Sequence, residues 1–155
     1  MSRLQREVRK KQPFASLAQE ATLNLARTND RIGIRFERLF REHGLTPSQY
    51  NILRILRGEG KPLPILDIAS RTVTVVPGIT GLIDRLEKAG FVCRRRCTED
   101  RRVIFVEILA KGLQTLNHLD QPVLDLHEEV LGGLTVQDLK ELIRLLEKVR
   151  ERLEE

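Results

Sequence analysis

ITGLIDRLEKAGFVCRRRCTEDRR, residues 79–102, is the stretch of the chain that decides the fold. Its first half has helical spacing, because four apolar residues share one face at i, i+3, i+4 and i+7. These residues are Ile79, Leu82, Ile83 and Leu86. Gly90 is typical of the residue that follows a helix C-terminus. Pro77, whose ring fixes φ and which lacks an N–H, indicates that the helix begins there.

The neighbouring segments complete a motif. Residues 64–70 are apolar enough for a short packed helix, and the β-branched residues of 71–76 interrupt the helical pattern. Residues 91–96 and 103–109 predict the two strands of a hairpin, and five arginines lie within 94–102. Two helices joined by a turn and followed by a basic hairpin predict a winged helix-turn-helix. A helix fits the major groove of DNA, and arginines on a thin hairpin reach the minor groove.

The same residues resemble the signature of the MarR family of bacterial transcriptional regulators. The match comprises IDRLEKAGFV (83–92), Arg94 and the wing-tip sequence Asp100-Arg101-Arg102, and it extends upstream to LTPSQYNIL (45–53). The resemblance implies a homodimer in which the N-terminal helix and the last two helices of each chain interlock. It also implies a pseudo-palindromic operator in double-stranded DNA, read by one winged helix of each subunit.

Helices are predicted on both sides of this motif. Residues 16–43 form one long amphipathic pattern that Gly44 ends. Thr46, with Pro47 and Gln49 after it, has the sequence of a capping box, and its helix is expected to reach about Leu56 before a loop. Leu63 would add a short third strand to the wing.

A second helical region follows the wing. Residues 110–131 are helical by pattern, but Pro122 is expected to kink or split that helix, and Thr135 to cap the last one. The fold expected is mainly α with a small β-wing, in one domain, 1–155. Residues 1–45 and 110–155 would be the helical dimerisation region, and 46–109 the winged helix-turn-helix lobe that binds DNA.

Composition agrees with a globular chain that has an anionic partner. The 155 residues are 41% hydrophobic and 32% charged, with net charge +5 and pI about 9.6. No apolar run is long enough to span a bilayer, so no membrane association is expected. Cys93 and Cys97 do not make a disulfide scaffold, which favours a reducing cytoplasm. The basic tail, 1–12, is either a solvated, frayed arm or one that adds phosphate contacts.

The resemblance implies a set of DNA-binding residues on the helix and wing. Asp100 would hold Arg102 by a charge-assisted bond, so that an arginine points into the minor groove. Arg94 and Arg96 would lie on one side of their strand and Arg95 on the other. Gly81 departs from the family, which often has a polar side chain there. The full set is Thr74, Gly78, Thr80, Gly81, Asp84, Arg85, Arg94, Arg96, Asp100, Arg101 and Arg102.

Regulation is less sharply indicated. In the family a small, often aromatic or phenolic, effector binds between the dimer helices and the DNA-binding lobe. Candidate lining residues are Arg31, Phe36, Phe40, Tyr50 and Arg54, although core packing is the alternative for both phenylalanines. Alternatively, wing cysteines beside arginines would oxidise readily and make a redox-responsive regulator. His118 and His127 are nine residues apart, which is not a metal-ligand spacing within one helical turn, so no metal and no cofactor are expected.

Three functions remain to be distinguished. The leading prediction is a sequence-specific DNA-binding transcriptional regulator, a repressor released by a small ligand. A winged-helix module that contacts proteins and binds DNA weakly is the second. The third is an enzyme, which the sequence disfavours because it contains no nucleophile–base set, phosphate-cradling loop or spaced metal ligands.

Overall fold

Helices and short antiparallel strands make up the residues that the computed structural model describes, which are 1–98, 100 and 102–153. The helices are α1 (Arg3–Glu7), α2 (Leu17–Glu42), α3 (Pro47–Glu59), α4 (Ile65–Ser70), α5 (Ile79–Lys88), α6 (Ala110–Leu131) and α7 (Val136–Glu151). The strands are β1 (Leu63–Pro64), β2 (Val92–Arg96) and β3 (Ile104–Ile108). The chain divides into two units, Met1–Leu119 and Asp120–Glu155. The prediction of a mainly helical chain with a small β-wing is confirmed.

The N-terminal segment is folded, so the expectation of a frayed basic arm is wrong. Ser2 caps α1, and Leu4 is buried at 4% exposure. Glu7 attracts three guanidinium groups, at 2.9 Å from Arg3, 3.8 Å from Arg27 and 3.6 Å from Arg31. One acidic residue among many basic ones therefore ties the segment to α2.

Local capping signals set the ends of α2 and α3. The Ser16 hydroxyl accepts a hydrogen bond from the amide of Gln19 at 3.1 Å, and Gly44 follows α2 at φ +71°. The capping box predicted at Thr46 is present. Helix α3 continues to Glu59, three residues beyond its expected end, and Gly60 terminates it in the left-handed conformation. The loop expected after Leu56 is correspondingly shorter.

The sheet orders its strands β1–β3–β2, with both pairings antiparallel. Val106 of the central strand β3 stands opposite Leu63 on one side and Arg94 on the other. The third strand expected at Leu63 is therefore confirmed. The core of the first unit is apolar and comes from α2, α3, α4, α5, α6 and the sheet. Its most deeply buried members are Ile52, Leu53, Leu56, Ile68, Ile83, Leu86, Val92, Val106, Leu116 and Leu119.

The first turn of α6 is fixed to the end of α5. Lys111 Nζ donates to the Ala89 carbonyl at 2.6 Å and lies 4.6 Å from the centre of the Phe91 ring. Gly112 allows the close approach, because a Cβ there would lie 2.8 Å from the Phe91 carbonyl oxygen. A cation at a helix C-terminus is also favoured by the helix dipole.

In the second unit, α6 continues through Pro122 to Leu131, so the proline does not split the helix. Proline removes a single donor from the helix, while the residues on either side keep theirs. Thr135 caps α7 through a capping box with Asp138, as expected. Helix α7 contains no buried residue, and Ile143, Leu145 and Val149 are about half exposed.

Candidate nucleic-acid interface

Helix α5 begins later than the sequence indicated. Gly78 is its N-cap residue at φ +67°, and the first helical residue is Ile79, so Pro77 stands before the helix rather than in its first turn. The left-handed conformation at Gly78 carries no steric penalty for glycine. It lets the chain turn sharply into the helix after the proline.

The two faces of α5 differ in character. Ile83 and Leu86 are fully buried, whereas Thr80 and Arg85 are exposed. Arg85 forms no ion pair with a carboxylate in the part of the chain that the structure describes. Its Nη1 atom lies only 3.9 Å from the position that a Cβ on Gly81 would take. A Cβ at Gly81 would therefore make an ordinary van der Waals contact with the Arg85 guanidinium, which lies back along the helix.

The turn before α5 carries an apolar feature that the sequence interpretation missed. Thr74, one of the expected contact residues, is exposed, and its neighbours Val73 and Val75 are exposed at 80% and 93%. Gly78 is exposed as well. The available signal was the run of β-branched residues, which was interpreted only as an interruption of the helix.

Arg94 links β2 to α5. Its Nε atom donates to Glu87 Oε2 at 2.7 Å, its backbone amide donates to Glu87 Oε1 at 2.8 Å, and its Nη1 pairs with Asp84. These bonds lower the pKa of Glu87, first through the Arg94 amide and then through the guanidinium. The same bond to Glu87 raises the pKa of Arg94.

This arrangement changes the expected roles of Asp84 and Arg94. Both are expected to face DNA, but the Arg94 guanidinium is paired with the carboxylates of Asp84 and Glu87, and its side chain is 33% exposed. A phosphate contact by Arg94 would compete with these two ion pairs. Arg94 instead fixes the first residues of the wing against α5.

The other arginines of β2 take different directions, as alternation along a strand requires. Arg95 pairs with Glu107 of β3 at 2.8 Å. Arg96 is exposed at the end of β2, opposite Ile104. Of the three consecutive arginines, Arg96 has no ion-pair partner among the residues that the structure describes, and it remains a candidate contact.

The tip of the wing has the predicted ion pair. Asp100 Oδ1 accepts from the Arg102 amide at 3.0 Å and from its Nε at 3.2 Å. The Arg102 side chain is nevertheless 92% exposed. The carboxylate therefore orients the arginine without covering it. Arg101, also expected to bind DNA, lies outside the described residues.

The two wing cysteines are free and half-buried. Cys93 Sγ lies 3.9 Å from Glu107 Oε2 as a weak donor. The neighbour in contact with the thiol is thus a carboxylate, whereas the redox hypothesis relied on adjacent arginines.

Three of the five candidate effector residues, Phe36, Phe40 and Tyr50, lie together in one aromatic cluster. Phe40 is buried and its ring stacks on Tyr50 with 4.2 Å between the ring centres, and the ring centre of Phe36 lies 6.0 Å from that of Phe40. Arg31 is turned toward Glu7, and Arg54 Nη2 lies 3.5 Å from Asn51 Oδ1. Phe40 is core packing, which was the alternative considered for it.

A short helix-turn-helix, an outward helix face and a hairpin with an exposed arginine at its tip define a winged-helix DNA-binding regulator. The comparisons with known proteins agree. The MarR family model matches residues 45–104. The HTH-type transcriptional repressor IacR of Pseudomonas putida is 30% identical over 130 residues, which cover 84% of this chain and 77% of the relative. The chain belongs to the MarR family, whose members are transcription regulators and not enzymes.

Two further relatives cover most of the chain. The homoprotocatechuate degradative operon repressor of Escherichia coli is 26% identical over 113 residues, which are 73% of this chain and 76% of that protein. A crystal structure of a MarR transcription factor from Planctomyces limnophilus is 45% identical and covers 87% of this chain and 98% of that chain, with a TM-score of 0.68. Among the described residues, no helix is both long enough and apolar enough to cross a membrane.

Proposed function

We propose that this protein is a homodimeric repressor that binds a pseudo-palindromic operator and is released from it by a small aromatic or phenolic ligand. The observation that carries the proposal is the wing tip, where Asp100 orients a guanidinium that is otherwise almost wholly in solvent. An oriented, exposed arginine on a thin hairpin suits the negative potential of a narrow minor groove.

Helix α5 is proposed to enter the adjacent major groove. Thr80 and Arg85 are its exposed polar side chains in the first two turns, and arginine can make a bidentate contact with guanine. The same groove would be approached by the backbone of Gly78 and Gly81 and by the short side chain of Thr74. Arg96 and Arg101 would add contacts from the wing. Phosphate contacts fix the register of the protein, and base-edge contacts supply the sequence preference.

Dimerisation is supported by apolar surface on the terminal helices. On α2, Leu17 and Ile34 are exposed at 86% and 51%, and α7 has no buried residue. An amphipathic helix with an uncovered apolar stripe is stabilised by a partner helix. A twofold dimer would present its recognition helices about 34–36 Å apart, in successive major grooves.

Effector control is proposed from the relatives and from the aromatic cluster. One relative is named as the repressor of an operon for degrading homoprotocatechuate, an aromatic acid. Phe36, half-buried at the edge of the Phe40–Tyr50 stack, offers a ring on which an aromatic ligand could pack. The dimer would have one geometry that binds DNA and another that does not. A ligand that binds the second geometry more tightly would lower the affinity for the operator, and the size of the effect is set by the difference between its affinities for the two geometries.

The test is selection of bound sequences from random duplexes, followed by mobility-shift titration of the selected operator and of a scrambled duplex at physiological salt. We expect a pseudo-palindrome of about two helical turns, bound at least about a thousandfold more tightly than the scrambled duplex. Candidate aromatic acids are then added to the preformed complex. Equal affinity for both duplexes would contradict the proposal of an operator, and unchanged affinity with every acid would contradict effector release.

Gly81 favours a second candidate function, a winged-helix module that acts through protein contacts. The position is on the outward side of α5 and supplies no side chain for reading bases. This candidate predicts that Arg102→Ala leaves duplex binding unchanged, whereas the repressor proposal predicts a clear loss.

A further inference from the structure

The turn between α4 and α5 is held in place at both ends. Arg71 Nη1 pairs with Glu59 Oε2 at 2.6 Å, and the Thr72 hydroxyl donates to the Ala69 carbonyl at 2.9 Å. At the other end, the Leu82 amide donates to the Gly78 carbonyl at 3.3 Å. The residues in between therefore present their side chains from a turn that is anchored on both sides.

Two of those side chains are apolar and uncovered. Val73 and Val75 are exposed at 80% and 93%, while Val76 is half-buried. A single exposed valine needs no explanation in a soluble surface. Here two exposed valines flank Thr74, directly before the helix that is expected to enter the major groove. They place apolar surface where DNA would be contacted.

Helix α5 itself offers few groups for reading bases. Gly78 and Gly81 have no side chains, and the carboxylate of Asp84 is paired with Arg94. Thr80, Arg85 and, in the last turn, Lys88 are the exposed polar side chains that remain on α5. In helix-turn-helix proteins the N-terminal residues of the recognition helix contact base edges. Two positions without side chains allow the backbone, and with it the preceding turn, to come closer to the groove.

The major groove contains one apolar group, the C5 methyl of thymine. We propose that Val75, with Val73 beside it, contacts a thymine methyl in each half-site, so that the turn before α5 is a specificity-determining element. This inference rests on the proposed operator binding. It assigns to the turn an apolar contact with thymine that is separate from any contact made by the Thr80 methyl group of α5.

The expected size of the effect follows from the transfer of one methyl group out of water. Burial of a methyl-sized group corresponds to about a fourfold change in affinity per half-site, and about fifteenfold for both half-sites of a symmetric duplex. A change of this size is well resolved in a titration.

The experiment uses the full chain and the operator obtained by selection. Each thymine of a half-site is replaced in turn, symmetrically in both half-sites, by deoxyuridine, which lacks only the C5 methyl and pairs with adenine in the same way. We expect at least one position at which the wild type loses about fifteenfold in affinity. At that position Val75→Ser binds the thymine and deoxyuridine duplexes equally, whereas Val75→Ile keeps the preference.

Val8→Ser is the matched control, because it makes the same change at another exposed valine, in the N-terminal segment. It should leave the thymine preference intact, and circular dichroism should give the same spectrum for all variants. The inference is overturned if no thymine is sensitive, or if Val75→Ser is as sensitive as the wild type. If selection yields no preferred sequence at all, the proposed function fails and this inference fails with it.

Discussion

At the scale of single residues, the arginines of the wing differ in how far their guanidinium groups are exposed to solvent. Arg102 is oriented by Asp100 but exposed, whereas Arg94 is bonded to two carboxylates of α5. The two side chains carry the same charge, so only their surroundings distinguish a DNA contact from a positioning role. Salt dependence measures that difference directly, because it counts the phosphates neutralised by the protein.

Arg102→Ala should weaken operator binding by about 1–3 kcal/mol per subunit, because the oriented guanidinium is lost from the minor groove. It should also reduce the slope of log K against log salt by about 0.9 for each phosphate contact removed. The measurement is a mobility-shift titration at several salt concentrations. Unchanged affinity together with an unchanged slope would remove Arg102 from the DNA contacts.

Arg94→Ala should weaken operator binding with the slope unchanged, because its guanidinium neutralises Asp84 and Glu87 instead of phosphate. Loss of these bonds should also destabilise the lobe by about 1–2 kcal/mol, seen as a lower urea midpoint. Arg102→Ala is the matched control, since it removes an arginine that is not packed against α5. A slope reduced as much as in Arg102→Ala would contradict the positioning role.

Glu87 gives a pH dependence of known sign. Its pKa is lowered in the folded chain from the ordinary value of 4.5, through the Arg94 amide first and then the guanidinium. The stabilisation is therefore present above pH about 4.5 and is lost as the pH falls through the folded-state pKa. Urea midpoints measured between pH 3 and 7 should fall less steeply on the acid side for Glu87→Gln than for the wild type. If the urea midpoints of the two proteins fell equally steeply toward acid pH, the proposed contribution of Glu87 to stability would be contradicted.

At the scale of elements, the contact between α6 and the end of α5 depends on Gly112. A Cβ at that position would lie 2.8 Å from the Phe91 carbonyl oxygen, a backbone atom that cannot move aside easily. Gly112→Ala should therefore be destabilising by about 1–3 kcal/mol, which exceeds the gain of about 1 kcal/mol in helix propensity. Gly33→Ala is the control, because nothing lies within 4 Å of its added Cβ. Chemical denaturation measures both, and a stabilised Gly112→Ala would contradict the prediction.

Element boundaries were predictable where the cause is local. The capping box at Thr46 and the glycines after α2 and α5 act through their own and adjacent residues, so the sequence alone indicates them. The docking of α1 on α2 was not predictable in this way. Ser2 and the Arg3–Glu7 pair are local signals for the helix itself, but its docking brings Glu7 near Arg27 and Arg31, which are distant in sequence. The same reason hid the role of Arg94, whose partners lie on another element.

At the scale of the whole molecule, the prediction concerns the dimer. Sedimentation equilibrium should give about twice the chain mass of 17.9 kDa, because apolar residues on α2 and α7 are uncovered in the single chain. Ile143→Lys should shift the equilibrium toward monomer and abolish tight operator binding. Arg144→Ala is the control on the same helix, since Arg144 pairs only locally, with Glu141 among the described residues. A monomeric wild type would contradict the proposed mode of operator binding.

The class of the molecule followed from sequence because it rests on an ordered combination of helix, hairpin and basic tip. The site followed less completely. The pairing of Asp100 with Arg102 was predictable, since the two residues are neighbours in the wing turn. The exposure of the valines before α5 and the stacking of Phe40 on Tyr50 depend on which side chains are buried in the folded chain. The spacing of residues in the sequence does not show this.

The edges of the small sheet bear on whether two molecules can pair through their strands. Its outer strand β1 has only two residues, and one of them, Pro64, has no amide hydrogen with which to extend the ladder. The opposite edge strand, β2, ends at Arg96, an exposed charge without an ion-pair partner among the described residues, which disfavours pairing with a second β2. Both edges of the described sheet therefore disfavour edge-to-edge pairing between molecules, which is a common route to aggregation.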